Sequence, residues 1–326
     1  MSVLMELGTV GCILCKNNLL NAISDIKTSD ACLLYAEWLS IDISTEFGDI
    51  DKITYMACSN CGLKYFYPVI TGSPKFYDAL SKKMQSTYYQ EDKREYEFAS
   101  RFINKEARVL DVGSGRGLFS RYVPGTYTGL DFNPSAIEKA AKSGVRVINE
   151  PLQEHAKNIS LPYSVVTAFQ VLEHMAEPDK FIEHCLQCLE PGGLLILSVP
   201  SDDSYVSLLE NAFLNMPPHH LSRWTDKSLA NLQHLFSLEL LELEHEKLEQ
   251  IHFESFVEQI ANRATRSLLR LGHAGLIDLS IRKKIVDKFS RYLNPVIKKV
   301  YADPVIWPYG HSVTAVYRKS LSRSNE

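Results

Sequence analysis

The stretch Val109–Ser120, VLDVGSGRGLFS, restricts this chain more than any other. A short apolar run closes on Asp111, three glycines follow at alternate positions, and Leu118 and Phe119 open a helical pattern. A buried strand must therefore turn sharply into a helix. Gly113, Gly115 and Gly117 supply what such a turn needs, because a residue without Cβ can take positive φ or let a ligand approach the main chain. The helix that follows offers unpaired N–H groups and a positive dipole end. A dinucleotide turn wants G-x-G-x-x-G, which would put its third glycine where Leu118 stands. An acid just ahead of the turn also suits a positively charged ligand better than a pyrophosphate.

The next apolar run, in YTGLDFNPSAIEKA, ends on Asp131 about twenty residues later, where an acid in such folds accepts hydrogen bonds from ribose hydroxyls. Asp131 could also simply cap the helix that Pro134 opens. Asp111 and the G-x-G-x-G spacing resemble the first motif of the class I S-adenosylmethionine-dependent methyltransferases. YSVVTAFQVLEHMAEP, which runs through Gln170, is similar to that family's later strand signature. The resemblance implies an α/β fold: a Rossmann-like seven-stranded sheet with an antiparallel closing hairpin. It further implies S-adenosylmethionine as cofactor. Asp111, Gly113, Gly115 and Gly117 would hold the methionine part, Asp131 the ribose, and Gln170 the neighbourhood of the sulfonium. Asn149, Glu150 and Leu152 fall where the family brackets the adenine, although Pro151 stands where it often has an acid.

Seven cysteines, odd in number and unevenly placed, fit a reducing compartment. Cys12-x-x-Cys15 and Cys58-x-x-Cys61 are the ligand set of a structural tetrahedral zinc ion, and Gly62 lets backbone N–H groups turn toward the sulfurs. The expected organisation is a zinc-ribbon domain over 1–75 and a methyltransferase domain over 76–326. Cys185 and Cys188 repeat the spacing inside the amphipathic DKFIEHCLQCLEP, where core packing is the better explanation.

Acceptor-side candidates lie beyond the fourth strand. Glu173 and His174 follow Gln170, and the segment NMPPHHLSRWT places His219 and His220 after two prolines in a lid-like loop, with Thr225 as the next helix cap. A near-neutral imidazole can take a proton from an acceptor and a carboxylate can orient it. Alternatively, Glu173 and His174 fix the loop to neighbouring backbone, and the paired histidines are solvent-exposed. Tyr88 and Tyr89 are candidates to lean over the cofactor. FSLELLELEHEKL and HSVTAVYRK read as the closing hairpin, the latter alternating as a strand should.

Between them, 251–300 is a basic helical insertion carrying Arg263, Arg266, Arg270, Arg282, Lys283, Lys284, Lys288 and Arg291. It is a candidate for gripping phosphates or for peripheral contact with an anionic membrane surface. A solvated cationic face is the plainer reading. The net charge of −4 argues against nucleic acid as partner, and residues 1–75 carry five lysines against eight acids. No apolar run reaches membrane-spanning length and the start lacks a basic head, so a cytoplasmic enzyme is expected.

Amino-terminal double-knuckle zinc domains joined to this core resemble deoxysugar C-methyltransferases and glycan-tailoring enzymes. The acceptor is then a sugar or another small molecule, either free or nucleotide- or lipid-linked. The carboxyl end departs from the former group, which leaves the methylated atom open. A ribosomal RNA methyltransferase and a non-catalytic zinc-stabilised scaffold are the rival readings.

Overall fold

The computed structural model describes residues 11–84, 93–272 and 275–321. Near the amino end, β1 (Leu20–Lys27), β2 (Lys52–Cys58) and β3 (Lys64–Tyr67) form an antiparallel sheet, with α1 (Thr28–Leu39) and the short α2 (Ser44–Phe47) between the first two strands. The helices α3 (Pro74–Lys83) and α4 (Arg94–Ser100) lead into the larger layer. There β4 (Arg108–Val112), β5 (Thr126–Leu130), α5 (Pro134–Lys142), β6 (Val147–Ile148), α6 (Leu152–Asn158), β7 (Tyr163–Phe169), α7 (Pro178–Cys188) and β8 (Leu189–Pro200) follow in order. The chain continues through β9 (Ser222–Arg223), α8 (Asp226–Leu235), β10 (Leu238–Lys247), α9 (Gln250–Leu268), α10 (Ile281–Ser290), α11 (Asn294–Val300) and β11 (Tyr309–Lys319).

The large sheet has the order β10-β11-β8-β7-β4-β5-β6, and the last five of these are parallel to one another. β11 inserts antiparallel between β8 and β10, which closes the sheet as a hairpin. β4 has β5 on one side and β7 on the other, so the order reverses there, and open α/β sheets gather ligands outside the strand ends at such a point. The continuous apolar runs of β4, β7 and β8 have the character of strands covered on both faces. On one face Val109, Val165, Ile196 and Val316 pack with Tyr96, Phe98 and Phe119. On the other, Leu110, Val166, Leu195 and Leu197 join Cys185 and Cys188, both fully buried in α7.

Two local expectations differ from the structure. The segment after the glycine turn is a short 3-10 helix, Leu118–Tyr122, rather than an α-helix. Gly117 enters it left-handed, and Pro124 forces Val123 extended at φ −101°, so it cannot lengthen. β11 does not alternate in burial either: Ser312–Tyr317 are all buried, because α4 covers one face and α8 the other, where the Tyr317 hydroxyl donates to the Leu229 carbonyl at 2.9 Å.

The small sheet is completed by a strand from the later half of the chain. β9 pairs antiparallel with β3, Lys64 opposite Arg223 and Tyr65 opposite Ser222, and Ser201 bridges to Trp224 at the end of β8. Trp224 is fully buried in a cluster that runs from Cys12 and Cys61 into the large sheet.

Candidate active site

At the end of β4 the turn is built as its glycines require, with Gly113, Gly115 and Gly117 at φ +71°, +57° and +69°. A Cβ on Gly113 would stand 2.4 Å from Val171 Cγ2, and one on Gly117 2.6 Å from Val145 Cγ1. Asp131, at the end of β5, accepts from the Gly115 N–H at 2.7 Å and from the Asn133 N–H at 2.7 Å, so it braces the turn from the neighbouring strand. The helix cap is Asn133, whose Oδ1 accepts from Ser135 and Ala136, which leaves Asp131 free of that role. Phe132, next to Asp131 in the chain, is 65% exposed, an aromatic ring that no motif of the sequence singles out.

Asp111, expected toward the methionine part, has a different geometry. It is buried beneath the turn, with Oδ2 accepting from Tyr127 at 2.7 Å and Oδ1 from Thr167 at 2.8 Å. Burial pushes its carboxyl up to about 7, against the pull of those hydroxyls and of Lys93. Gln170, at the end of β7, is left-handed at φ +58°. Its Nε2 donates to Glu95 Oε2 at 2.9 Å and to Ser312 Oγ at 3.1 Å. Glu95, 2% exposed on α4, is a site residue the tyrosine-rich connector concealed. Glu150 and Leu152 are engaged elsewhere: Glu150 Oε2 meets His155 Nδ1 at 2.8 Å and Leu152 is buried at the start of α6. Tyr88 and Tyr89 lie outside the described residues.

The four acceptor-side candidates come together. Glu173 and His174 lie on a 3-10 turn, Leu172–His174, and the Leu221 N–H donates to the Glu173 carbonyl at 2.8 Å, tying the lid to that turn. His174, His219 and His220 form a near-equilateral triangle with ring centroids 4.6, 4.8 and 4.7 Å apart. Glu173 Oε1 is 3.8 Å from His174 Nε2 and 3.9 Å from His220 Nε2. These are contacts of neutral groups, not ion pairs, because burial raises Glu173 to about 8 and lowers His174 to about 4, with His219 and His220 also driven well below the usual imidazole value. The two paired histidines are 6% and 9% exposed, not solvent-facing as the plainer reading of the loop would have them.

The small sheet holds this cluster in place. The Arg223 guanidinium lies over the rings of Tyr55 and Phe66, 5.1 and 5.7 Å from their centroids, and donates to the Asn215 carbonyl at 3.0 and 2.8 Å. Asn215 Oδ1 in turn meets His220 Nδ1 at 3.1 Å. Arg223 and Asn215 are positioning residues that no local motif announces.

Cys12, Cys15, Cys58 and Cys61 bring four sulfurs within 4.8 Å of one another, Cys12 and Cys61 at 3.7 Å and Cys15 and Cys58 at 3.6 Å. Thiolates bound tetrahedrally at the usual zinc distance are about 3.8 Å apart, so the donor set fits such an ion. Gly62 at φ +85° lets its N–H return to the Cys58 carbonyl at 2.9 Å. The basic insertion is partly neutralised, by two acids of its own and by Glu210 from outside it. Arg266 is buried against Glu210 and Asp278, and Lys283 pairs with Asp287. No described helix is long and apolar enough to cross a membrane.

Residues 83–243 match a protein-family model described as a methyltransferase domain. This region is a methyltransferase domain. It contains the glycine turn, Asp131, Gln170 and the lid. A ubiquinone biosynthesis O-methyltransferase of Salmonella newport (strain SL254) is 31% identical over 156 residues, covering 40% of this chain and 64% of that protein. The chain thus spans less than two thirds of that relative's length. A protein of the same name from Escherichia coli O127:H6 is 37% identical over 100 residues, 28% of this chain and 42% of its own. Among solved structures, a SAM dependent methyltransferase from Archaeoglobus fulgidus aligns with a TM-score of 0.46 at 17% identity, covering 75% of this chain and all of that one.

Proposed function

We propose that the chain transfers a methyl group from S-adenosylmethionine to a sugar or another small acceptor, either free or nucleotide- or lipid-linked. The observation that carries this is the joining of the glycine turn to Asp131 at the strand-order reversal of a methyltransferase domain. A Cβ-free backbone leaves room for the methionine part, Asp131 faces the ribose hydroxyls, and exposed Phe132 offers a ring to the purine. Asp111 acts beneath the turn, holding β4 to Tyr127 of β5 and Thr167 of β7. The bound sulfonium supplies an activated methyl group, so the protein's main task is alignment. Where the acceptor must lose a proton, the cluster of His174, His219 and His220 is the group at hand, as a base while its imidazoles are unligated or, with an ion held among them, by lowering the acceptor's own pKa. Zinc in the four-cysteine knuckle is structural in this reading.

O-methylation of an intermediate in ubiquinone biosynthesis is the second reading, favoured by the relatives that carry that name. The insertion bears on the lipid-linked case. Ile281, Ile285, Phe289 and Tyr292 share one exposed face of α10 and its extension, beside exposed Arg282, Lys284, Lys288 and Arg291. We infer that this face rests on an anionic membrane surface. Reversing the charge at Arg282, Lys284 and Lys288 should abolish sedimentation with anionic vesicles, and unchanged sedimentation would end that inference.

A transfer assay with radiolabelled donor, offered nucleotide-sugars, lipid-linked glycans, phenols and RNA, tests the main proposal. Label in a saccharide is expected. Binding of S-adenosylhomocysteine with no transfer to any of them would favour a non-catalytic scaffold, and label in RNA would revive the nucleic-acid reading.

A further inference from the structure

We propose that Glu173, His174, His219 and His220 bind one divalent first-row transition-metal ion, at a centre separate from the four-cysteine knuckle. Each imidazole offers a ring nitrogen, and these atoms all lie within 4.8 Å of one another. The hydrogen bonds fix which nitrogens are available. His174 Nδ1 is 2.7 Å from the His219 carbonyl, which can only accept, so Nδ1 carries the proton and Nε2 keeps its lone pair. His220 Nδ1 donates to Asn215 Oδ1 in the same way, leaving its Nε2 unprotonated. Both Nε2 atoms face Oε1 of one carboxylate. An outer Nδ1–H held by an oxygen with the inner Nε2 presented is the arrangement that orients histidine ligands around a metal.

Glu173 is the independent observation. It is 1% exposed and neither carboxylate oxygen has a hydrogen-bond partner among the described residues. A buried carboxyl group left in that condition is costly. A protonated Glu173 would not relieve it, since 3.8 and 3.9 Å are too long for a hydrogen bond to either Nε2. An ion between them would, because ligand atoms bound at 2.0–2.2 Å sit about 3–4 Å apart around it. Three neutral imidazoles and one carboxylate form a nitrogen–oxygen donor set, which suits zinc, cobalt or iron(II) better than calcium or magnesium.

The side chains of His174 and His220 keep 15% and 11% of their surface, which leaves an approach for a further ligand. An ion there would polarise an acceptor oxygen placed beside the methyl donor. That consequence rests on the methyl-transfer reading, whereas the metal site itself does not.

The test uses the full chain with its cysteine knuckle loaded with one equivalent of zinc, then titrated with Co2+. One further cobalt ion is expected, giving visible d–d bands without thiolate charge transfer. Glu173→Gln, nearly isosteric, should weaken that binding at least tenfold while circular dichroism stays native, and total metal by mass spectrometry should fall from two ions per chain to one. A folded wild-type chain that shows no such bands at saturating Co2+ would overturn the proposal, as would equal cobalt affinity in the Glu173→Gln variant. Calorimetry with S-adenosylhomocysteine on the same samples reports on the cofactor cleft separately, so failure of one assignment is not mistaken for failure of the other.

Discussion

The cofactor cleft and the histidine cluster sit at the same edge of the large sheet but are made in opposite ways. The cleft is assembled from one βαβ-like unit, residues 109–133, in which backbone conformation does most of the positioning and Asp131 reaches across a single strand boundary. The cluster draws Glu173 and His174 from one turn and His219 and His220 from a loop more than forty residues later. Its alignment depends on Arg223, Asn215 and two aromatic rings of the amino-terminal sheet. A site held by local geometry should survive damage to the small sheet. One held through it should not.

The largest effect is expected from Cys58→Ser, which removes one of four sulfurs from a knuckle continuous with the core around Trp224. Zinc should leave and the melting temperature should fall by on the order of 10 °C, given about 2–4 °C per kcal/mol for a domain of this class. If S-adenosylhomocysteine affinity collapsed in the protein that stays folded, the independence of the cleft would be refuted. Asp131→Ala comes next. Losing hydrogen bonds from two ribose hydroxyls to a charged acceptor, at about 1.5–3 kcal/mol for such bonds, should weaken S-adenosylhomocysteine roughly 100-fold in calorimetry. Zinc content should not change.

Arg223→Met sharpens the contrast, because it cuts the link from Tyr55 and Phe66 to Asn215 and leaves every cofactor contact in place. Cobalt affinity at the histidine cluster should drop about tenfold, the range typical of outer-shell partners, with unchanged S-adenosylhomocysteine binding. Parallel losses in both would show that the two sites are not separable.

The last effect is on stability rather than on binding, and concerns Asp111. Its folded carboxyl, at about 7, lies above the unfolded value near 4, so the native state holds that proton more tightly. The stability it lends is complete below pH 4 and is lost as pH rises toward 7, a window shaped also by Tyr127, Lys93 and Asp131 nearby. Asp111→Asn removes this dependence. The difference in urea midpoint between variant and parent should shift in the variant's favour from pH 5 to pH 8, and a constant difference would contradict the assignment.

How much could be read in advance follows the same division. VLDVGSGRG and the acid closing the next strand were legible because a left-handed turn leaves a glycine signature and a buried parallel strand leaves an apolar run. The cysteine pairs were legible through their spacing. The failure of the helix after Gly117 was written in Val123–Pro124 but outweighed by the apolar periodicity around Leu118. Asp111 could be placed at a strand end, yet the sequence does not say whether its carboxyl points outward or down to Tyr127. Glu95, Arg223 and Asn215 owe their roles to contacts between segments distant in the chain, and no local pattern encodes those.

The two-residue strand Ser222–Arg223 has a consequence for inheritance. It completes the amino-terminal sheet from within the later half of the polypeptide, so the cysteine-bearing module cannot be exchanged between relatives as a free cassette. Any recombination that replaces it must bring along the stretch around 215–224, and with it both lid histidines, so the two are expected to travel through evolution as one unit.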